Sequence, residues 1–243
     1  MKSKSKLNKF MTIMITCITI SLIFFIQSGF TPNESTTQNI RVIVLLDETD
    51  SFIMSDGQDT TWYWEALKPS LNKIVKSLES GDEFELIAID NKGYQTEDVR
   101  IPLEVIDQSY LRAVQQKNKI TRKIDELRRR KEKYSASDIF GALKFAASDA
   151  RGYKTRIFCF SDMEQIPSFK KNETPRLDFS GDTKAYFFVN VTGEKDWNET
   201  IKTWEPIIKQ AGLQFIYEGT ETNFIKITNV NVRLTQIMSK LRN

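Results

Sequence analysis

The sequence contains no histidine. That absence excludes Ser-His-Asp and Cys-His catalysis, HExxH zinc sites and all histidine acid–base chemistry. Cysteine is almost as scarce, with only Cys17 and Cys159. Cys17 lies in an apolar N-terminal run and Cys159 in an apolar strand-like run, so a processed chain can build neither a disulfide framework nor a structural zinc site. Stability has to come from a hydrophobic core, in which Cys159 reads as a small apolar filler rather than a nucleophile. Any bound metal must be a hard ion held by oxygen. No glycine-rich phosphate loop, of either the G-x-G-x-x-G or the Walker kind, follows the first strand-like run.

A net charge is also missing from most of the chain. Lysines and arginines number 35 and acids 32. Four of the lysines, Lys2, Lys4, Lys6 and Lys9, crowd ahead of an uncharged stretch at residues 11–26 (MTIMITCITISLIFFI). Without them the chain has 31 basic and 32 acidic residues, so the basic character belongs to the leader and argues against a nucleic-acid partner. A basic flank before an apolar run is the pattern of a secretory signal or a signal-anchor, and residues 1–30 are read as one or the other. The apolar stretch is short for a membrane span of roughly 20 residues, although extension through Gln27, Ser28 and Gly29 to Phe30 reaches that length. Ser28 and Gly29 permit cleavage, yet no A-x-A pattern is present, so cleaved signal and retained anchor both stay open. In either case the lysines remain inside and the body goes out. The expected location is secreted or periplasmic, or membrane-anchored through the N-terminus with the domain outside the cytoplasm.

Residues 31–39 (TPNESTTQN) are polar and turn-rich and read as a linker, which leaves residues 40–243 for one α/β domain. Ile40–Leu46 is a β-branched and aliphatic run suited to a strand buried on both faces. Residues 62–79 place Trp64, Leu67, Leu71, Ile74, Val75 and Leu78 on a helical stripe, with Pro69 as a potential kink. Gly81 and Asp82 end it. Glu83–Ile89 reads as a strand, and Val99–Ile106 as an edge strand because Pro102 is hard to place centrally. Residues 109–133 form a long charged helix with Leu111, Val114, Ile120, Ile124 and Leu127 as its apolar contacts. The cluster Arg128, Arg129, Arg130 and Lys131 near its end is either a solvated face or a docking surface for an acidic partner or lipid headgroups. A capped helix from Ser137 to Ala150, strands at 155–160, 185–191 and 215–217, an amphipathic helix at 197–211 and a closing helix at 232–241 complete the pattern. Strands alternating with helices predict a doubly wound, Rossmann-like, mostly parallel sheet with helices on both faces. Such folds bind ligands beyond the carboxyl ends of their strands.

Short oxygen side chains gather at those positions. Asp47, Glu48, Thr49, Asp50 and Ser51 follow the first strand. Ser137 and Asp138 open a helix, and Ser161 and Asp162 end the TRIFCF strand. The three segments resemble motifs of the von Willebrand A (VWA) domain family. Asp47-x-Thr49-x-Ser51 is similar to its D-x-S-x-S loop, Ser137–Leu143 (SDIFGAL) to its T-[ND]-[IL]-x-x-A-L segment, and Ser161-Asp162 to its strand-end S-D. The resemblance runs over residues 40–220, with Trp64–Ile89 matching the first helix and second strand. It implies a metal-ion-dependent adhesion site of Asp47, Thr49, Ser51, Ser137 and Asp162. The ion would be Mg²⁺, with Mn²⁺ or Ca²⁺ as alternatives. Thr49 and Ser51 would bind it directly, Ser137 directly or through water, and Asp47 and Asp162 mostly through water and hydrogen bonds. One open position would take a carboxylate from a protein partner. Thr49 and Ser137 depart from the family pattern in reach and stiffness, and Glu48, Asp50 and Asp138 add negative charge nearby.

The expected function is thus a non-enzymatic binding module. Two other readings compete with it. One is a scaffold with an inert metal site that binds through the 109–133 helix. The other is a phosphatase-like hydrolase, which needs D-x-D after the first strand and finds Thr49 where its general acid belongs.

Overall fold

A computed structural model describes residues 39–49, 52, 61–89, 99–127, 137–149, 154–165, 176–177, 179, 182–190, 194–211, 224–226 and 230–242. The N-terminal run, the linker up to residue 38, Asp50, Ser51, the basic cluster 128–131 and the expected strand 215–217 lie outside these residues. Among the described residues no helix is long and apolar enough to cross a membrane.

The apolar run after Asn39 forms β1 (Ile40–Asp47), buried along its whole length. Burial on both faces is possible because β1 sits in the middle of the sheet. It pairs in parallel with β2 (Glu83–Ile89) on one side and with β4 (Lys154–Ser161) on the other. β3 (Val99–Val105) is antiparallel to β2 and closes that edge, where its Pro102 costs no ladder hydrogen bond. β5 (Thr183–Val189) and β6 (Phe224–Lys226) extend the other side in parallel. The order β3-β2-β1-β4-β5-β6 is that of a doubly wound sheet, in which chain progression reverses direction between β1 and β4. β6 was not among the expected strands.

Alternation along β1 sorts the helices into two layers. Val42, Val44 and Leu46 face a core shared with α1 (Thr61–Ser77), α2 (Tyr110–Leu127) and α5 (Val230–Ser239). Ile43 and Leu45 face the other core, shared with α3 (Ile139–Asp149) and α4 (Glu194–Gln210). Leu71 and Ile74 of α1 are fully buried, each contributing roughly 1.5–3 kcal/mol of apolar transfer. The helix runs through Pro69. Cys159 is a buried free thiol in the second core. Burial, with Asp47 and Asp162 nearby, pushes its pKa well up, so it stays a neutral filler.

α2 departs from its expected register. Ala113, Ile120 and Ile124 are its buried positions, whereas Leu111 is 71% exposed and Val114 39%. The sequence stripe counted every apolar residue, but the inner face admits the small Ala113 and turns the two larger side chains outward.

The amino-terminal rim of the sheet is held by charge. Asp82 is fully buried after Gly81, whose φ of 86° suits glycine. Its carboxylate accepts the Ile40 N–H at 3.1 Å and the Glu79 N–H at 2.6 Å, and pairs with Arg242. Fully buried Arg156 donates through Nε to the Leu241 carbonyl at 2.9 Å. These contacts fasten the end of α1, the start of β1 and the segment after α5 together. Asp82→Ala removes the partner of Arg242 and the acceptor of two backbone N–H groups at once. It is expected to cost about 3–5 kcal/mol, read from the shift of the guanidinium unfolding curve. A loss under about 1 kcal/mol would show that the rim does not depend on this carboxylate.

A hydroxyl cluster around a buried carboxylate at the switch point

β1 and β4 run side by side with Leu46 opposite Phe160, so their next residues, Asp47 and Ser161, fall together at the carboxyl rim. Asp47 is fully buried. A bare carboxylate there would face a desolvation penalty of several kcal/mol, and hydroxyls from three stretches of chain offset it. Asp47 Oδ1 accepts from the Thr49 N–H at 3.0 Å and from Thr49 Oγ1 at 2.6 Å. Its Oδ2 accepts from Ser161 Oγ at 2.6 Å. Ser137 Oγ lies 3.2 Å from each carboxylate oxygen and 3.2 Å from Thr49 Oγ1.

Four of the five expected metal-site residues are described, and the structure brings Asp47, Thr49 and Ser137 into mutual contact. Asp162 follows Ser161 at the same rim. Its Oδ1 accepts the Glu164 N–H at 2.9 Å, a local turn that orients the side chain. Asp162 is near enough to act on Asp47 through its charge. Ser51 and the cluster Arg128, Arg129, Arg130 and Lys131 lie outside the described residues.

Ser161 was not among the expected site residues, although it makes one of the two shortest bonds to Asp47. The sequence marked it only as half of the strand-end S-D, and the strand register shows why it reaches Asp47. Asp138, not Ser137, caps α3, accepting the Gly141 N–H at 2.9 Å. Ser137 is thereby left to the cluster. The expected excess of negative charge is also reduced. Glu48 is held by Arg100 of β3 through Nε at 3.1–3.2 Å and Nη2 at 2.9 Å, so its charge is largely spent on that pair.

Burial is the main force on the titration of Asp47, and the neighbouring charge of Asp162 adds to it. Together they push its pKa up to about 6 from an ordinary 3.8, against the lowering effect of the Ser161 and Thr49 hydrogen bonds. Two carboxylates this close, one of them dry, form a site that either a proton or a cation relieves. The donor set suits a hard cation. Among the described residues no three Asp, Glu or Cys side chains come together, so the ligands would have to include hydroxyl oxygens. The Thr49 and Ser161 hydroxyls give their protons to Asp47, which leaves lone pairs able to face an ion.

No protein-family model matches the sequence, and no curated protein matches it. Likeness appears among solved structures. BatB of Bacteroides thetaiotaomicron shares 13% identity with a TM-score of 0.50, covering 84% of this chain and 97% of its own. Proximal thread matrix protein 1 of the mussel byssus shares 11% identity at TM-score 0.48, over 83% of this chain and 47% of its own. A von Willebrand factor type A protein from Catenulispora acidiphila shares 11% at TM-score 0.42, over 84% and 42%. The chain spans less than half the length of the latter two. At these identities the likeness is one of fold. The chain has a doubly wound α/β fold, and BatB shares it.

The raised pKa of Asp47 fixes a direction for stability against pH in cation-free protein. Between about 3.8 and 6 the folded chain holds a proton that the unfolded chain has released. The contribution of Asp47 is therefore fully present below pH 3.8 and is lost as pH rises through 6, by about 3 kcal/mol in all. With chelator present, wild type should lose that much stability between pH 4 and 7 relative to Asp47→Asn, measured by urea unfolding. Parallel pH profiles for the two proteins would contradict it.

Proposed function

We propose that this chain is a VWA-like module that holds one divalent cation, Mg²⁺ by preference, at the carboxyl rim of β1 and β4. Through that ion it takes an acidic group of a protein partner outside the cytoplasm. The observation that carries this reading is the convergence of Thr49, Ser137 and Ser161 on the buried carboxylate of Asp47. Three segments far apart in sequence supply short, mostly neutral oxygens to one point at the topological switch point, where such folds bind ligands. Thr49, Ser137 and Ser51 would hold the ion directly or through water, and Asp47 and Asp162 would hold the hydroxyls and waters in place. A cation with mostly neutral direct ligands remains electron-poor, so an incoming Asp or Glu gains strongly. The basic N-terminal leader supports delivery of the domain outside the cytoplasm.

The module acts without catalysis. The general acid that a phosphatase-like reading needs would stand at position 49, where a threonine sits against Asp47. The competing reading is a scaffold whose metal site is inert and which binds an acidic partner through the 109–133 helix with Arg128–Lys131.

Calorimetric titration of the full chain with MgCl₂ should show one bound ion. Asp47→Ala should weaken that binding by at least about tenfold. In a pull-down from membranes, partner capture should disappear with chelator or with Asp47→Ala. Capture that survives both moves the function to the 109–133 helix. Phosphoester turnover that depends on Asp47 overturns the non-catalytic reading.

A further inference from the structure

One glutamine clasps two of the three segments that meet at Asp47. Asp138 Oδ1 accepts the Gly141 N–H at 2.9 Å as the cap of α3. The Phe140 N–H, one residue earlier, donates to Oε1 of Gln165 at 2.7 Å. Gln165 Nε2 donates in turn to Asp138 Oδ1 at 3.0 Å. Both ends of one side-chain amide are therefore spent on the first turn of α3. Asp138 is the residue after Ser137, and Gln165 lies three residues beyond Asp162, so the bridge joins the α3 segment to the β4 segment. Asp138 packs so closely on Gly141 that a Cβ there would stand 2.2 Å from its Oδ2.

The loop between Asp162 and Gln165 is held at a second point. Met163 is buried with φ at 64°, a left-handed conformation unusual for a side chain of this size. Its carbonyl accepts the Trp204 indole N–H at 2.8 Å, and its own N–H donates to Ser161 Oγ at 2.9 Å. With Trp204 holding one end and Gln165 the other, the loop has little freedom to move Asp162 relative to Ser137.

We propose that Gln165 is a positioning residue that sets the spacing between Ser137 and Asp162, and with it the size of cation the site accepts. The assignment rests on the cation reading above. Mg²⁺ demands near-octahedral oxygens at roughly 2.0–2.1 Å, whereas Ca²⁺ takes more ligands at roughly 2.3–2.6 Å in looser geometry. A rim clasped at fixed spacing favours the smaller ion, and release of the clasp weakens Mg²⁺ more than Ca²⁺.

The test is calorimetric titration of the full chain with MgCl₂ and, separately, CaCl₂. Gln165→Ala removes the bridge. Gly141→Ala displaces Asp138 from the other side while leaving Gln165 in place and raising helix propensity. Both variants should lower Mg²⁺ affinity about tenfold with little change for Ca²⁺, so that the Mg²⁺/Ca²⁺ ratio falls by a similar factor. Affinities for both ions that fall together point to general loss of folded structure and overturn the assignment, as does an unchanged ratio. Wild-type protein that takes up neither ion overturns the cation reading and this assignment with it, so the two failures are told apart.

Discussion

The carboxylate of Asp47 is the constraint around which the rest of the site is arranged. It ends the most buried strand of the sheet and has no exposed surface. An unpaired charge in that position would cost several kcal/mol. Hydroxyls arriving from Thr49, Ser137 and Ser161 make the position tolerable without supplying a positive charge. The raised proton affinity of Asp47 is one expression of that burial.

The two rims of the sheet solve different problems. At the amino-terminal rim, Asp82 is met by Arg242, and Arg156 by backbone carbonyls and Asp182. Charges there are matched on site, which favours a fixed join between elements. At the carboxyl rim Glu48 pairs with Arg100 on the β2–β3 side. At the switch point Asp47 accepts from hydroxyl and backbone N–H donors, and Asp162 accepts a backbone N–H.

Rigidity around the hydroxyls comes from residues that never touch Asp47. Gln165 and Trp204 restrain the segment after β4, and Asp138 frees Ser137 by taking over the capping of α3. Each of these is an ordinary helix-end or loop contact taken singly. Their combined effect is to hold oxygen atoms from three segments at distances of 2.6–3.2 Å, which side chains on unrestrained loops would not keep.

Much of this was legible in the chain itself. The near-continuous apolar run before Asp47 specified a central strand, because a strand buried on both faces does not alternate. Pro102 placed its strand at an edge, and the order of the three oxygen-rich segments marked the carboxyl rim. Composition alone removed histidine chemistry and a disulfide framework. What the sequence could not contain was register and facing. Ser161 joins Asp47 only because β1 and β4 pair with Leu46 opposite Phe160. Leu111 and Val114 turn outward because the inner face of α2 is set by its packing partners, to which a count of apolar residues is blind. Gln165 reaches Asp138 across 27 residues of chain. Local propensity and hydrophobic pattern act over a few residues and are written in order along the chain. Which oxygen meets which carboxylate is decided by the packing of distant segments, and that exists only in three dimensions.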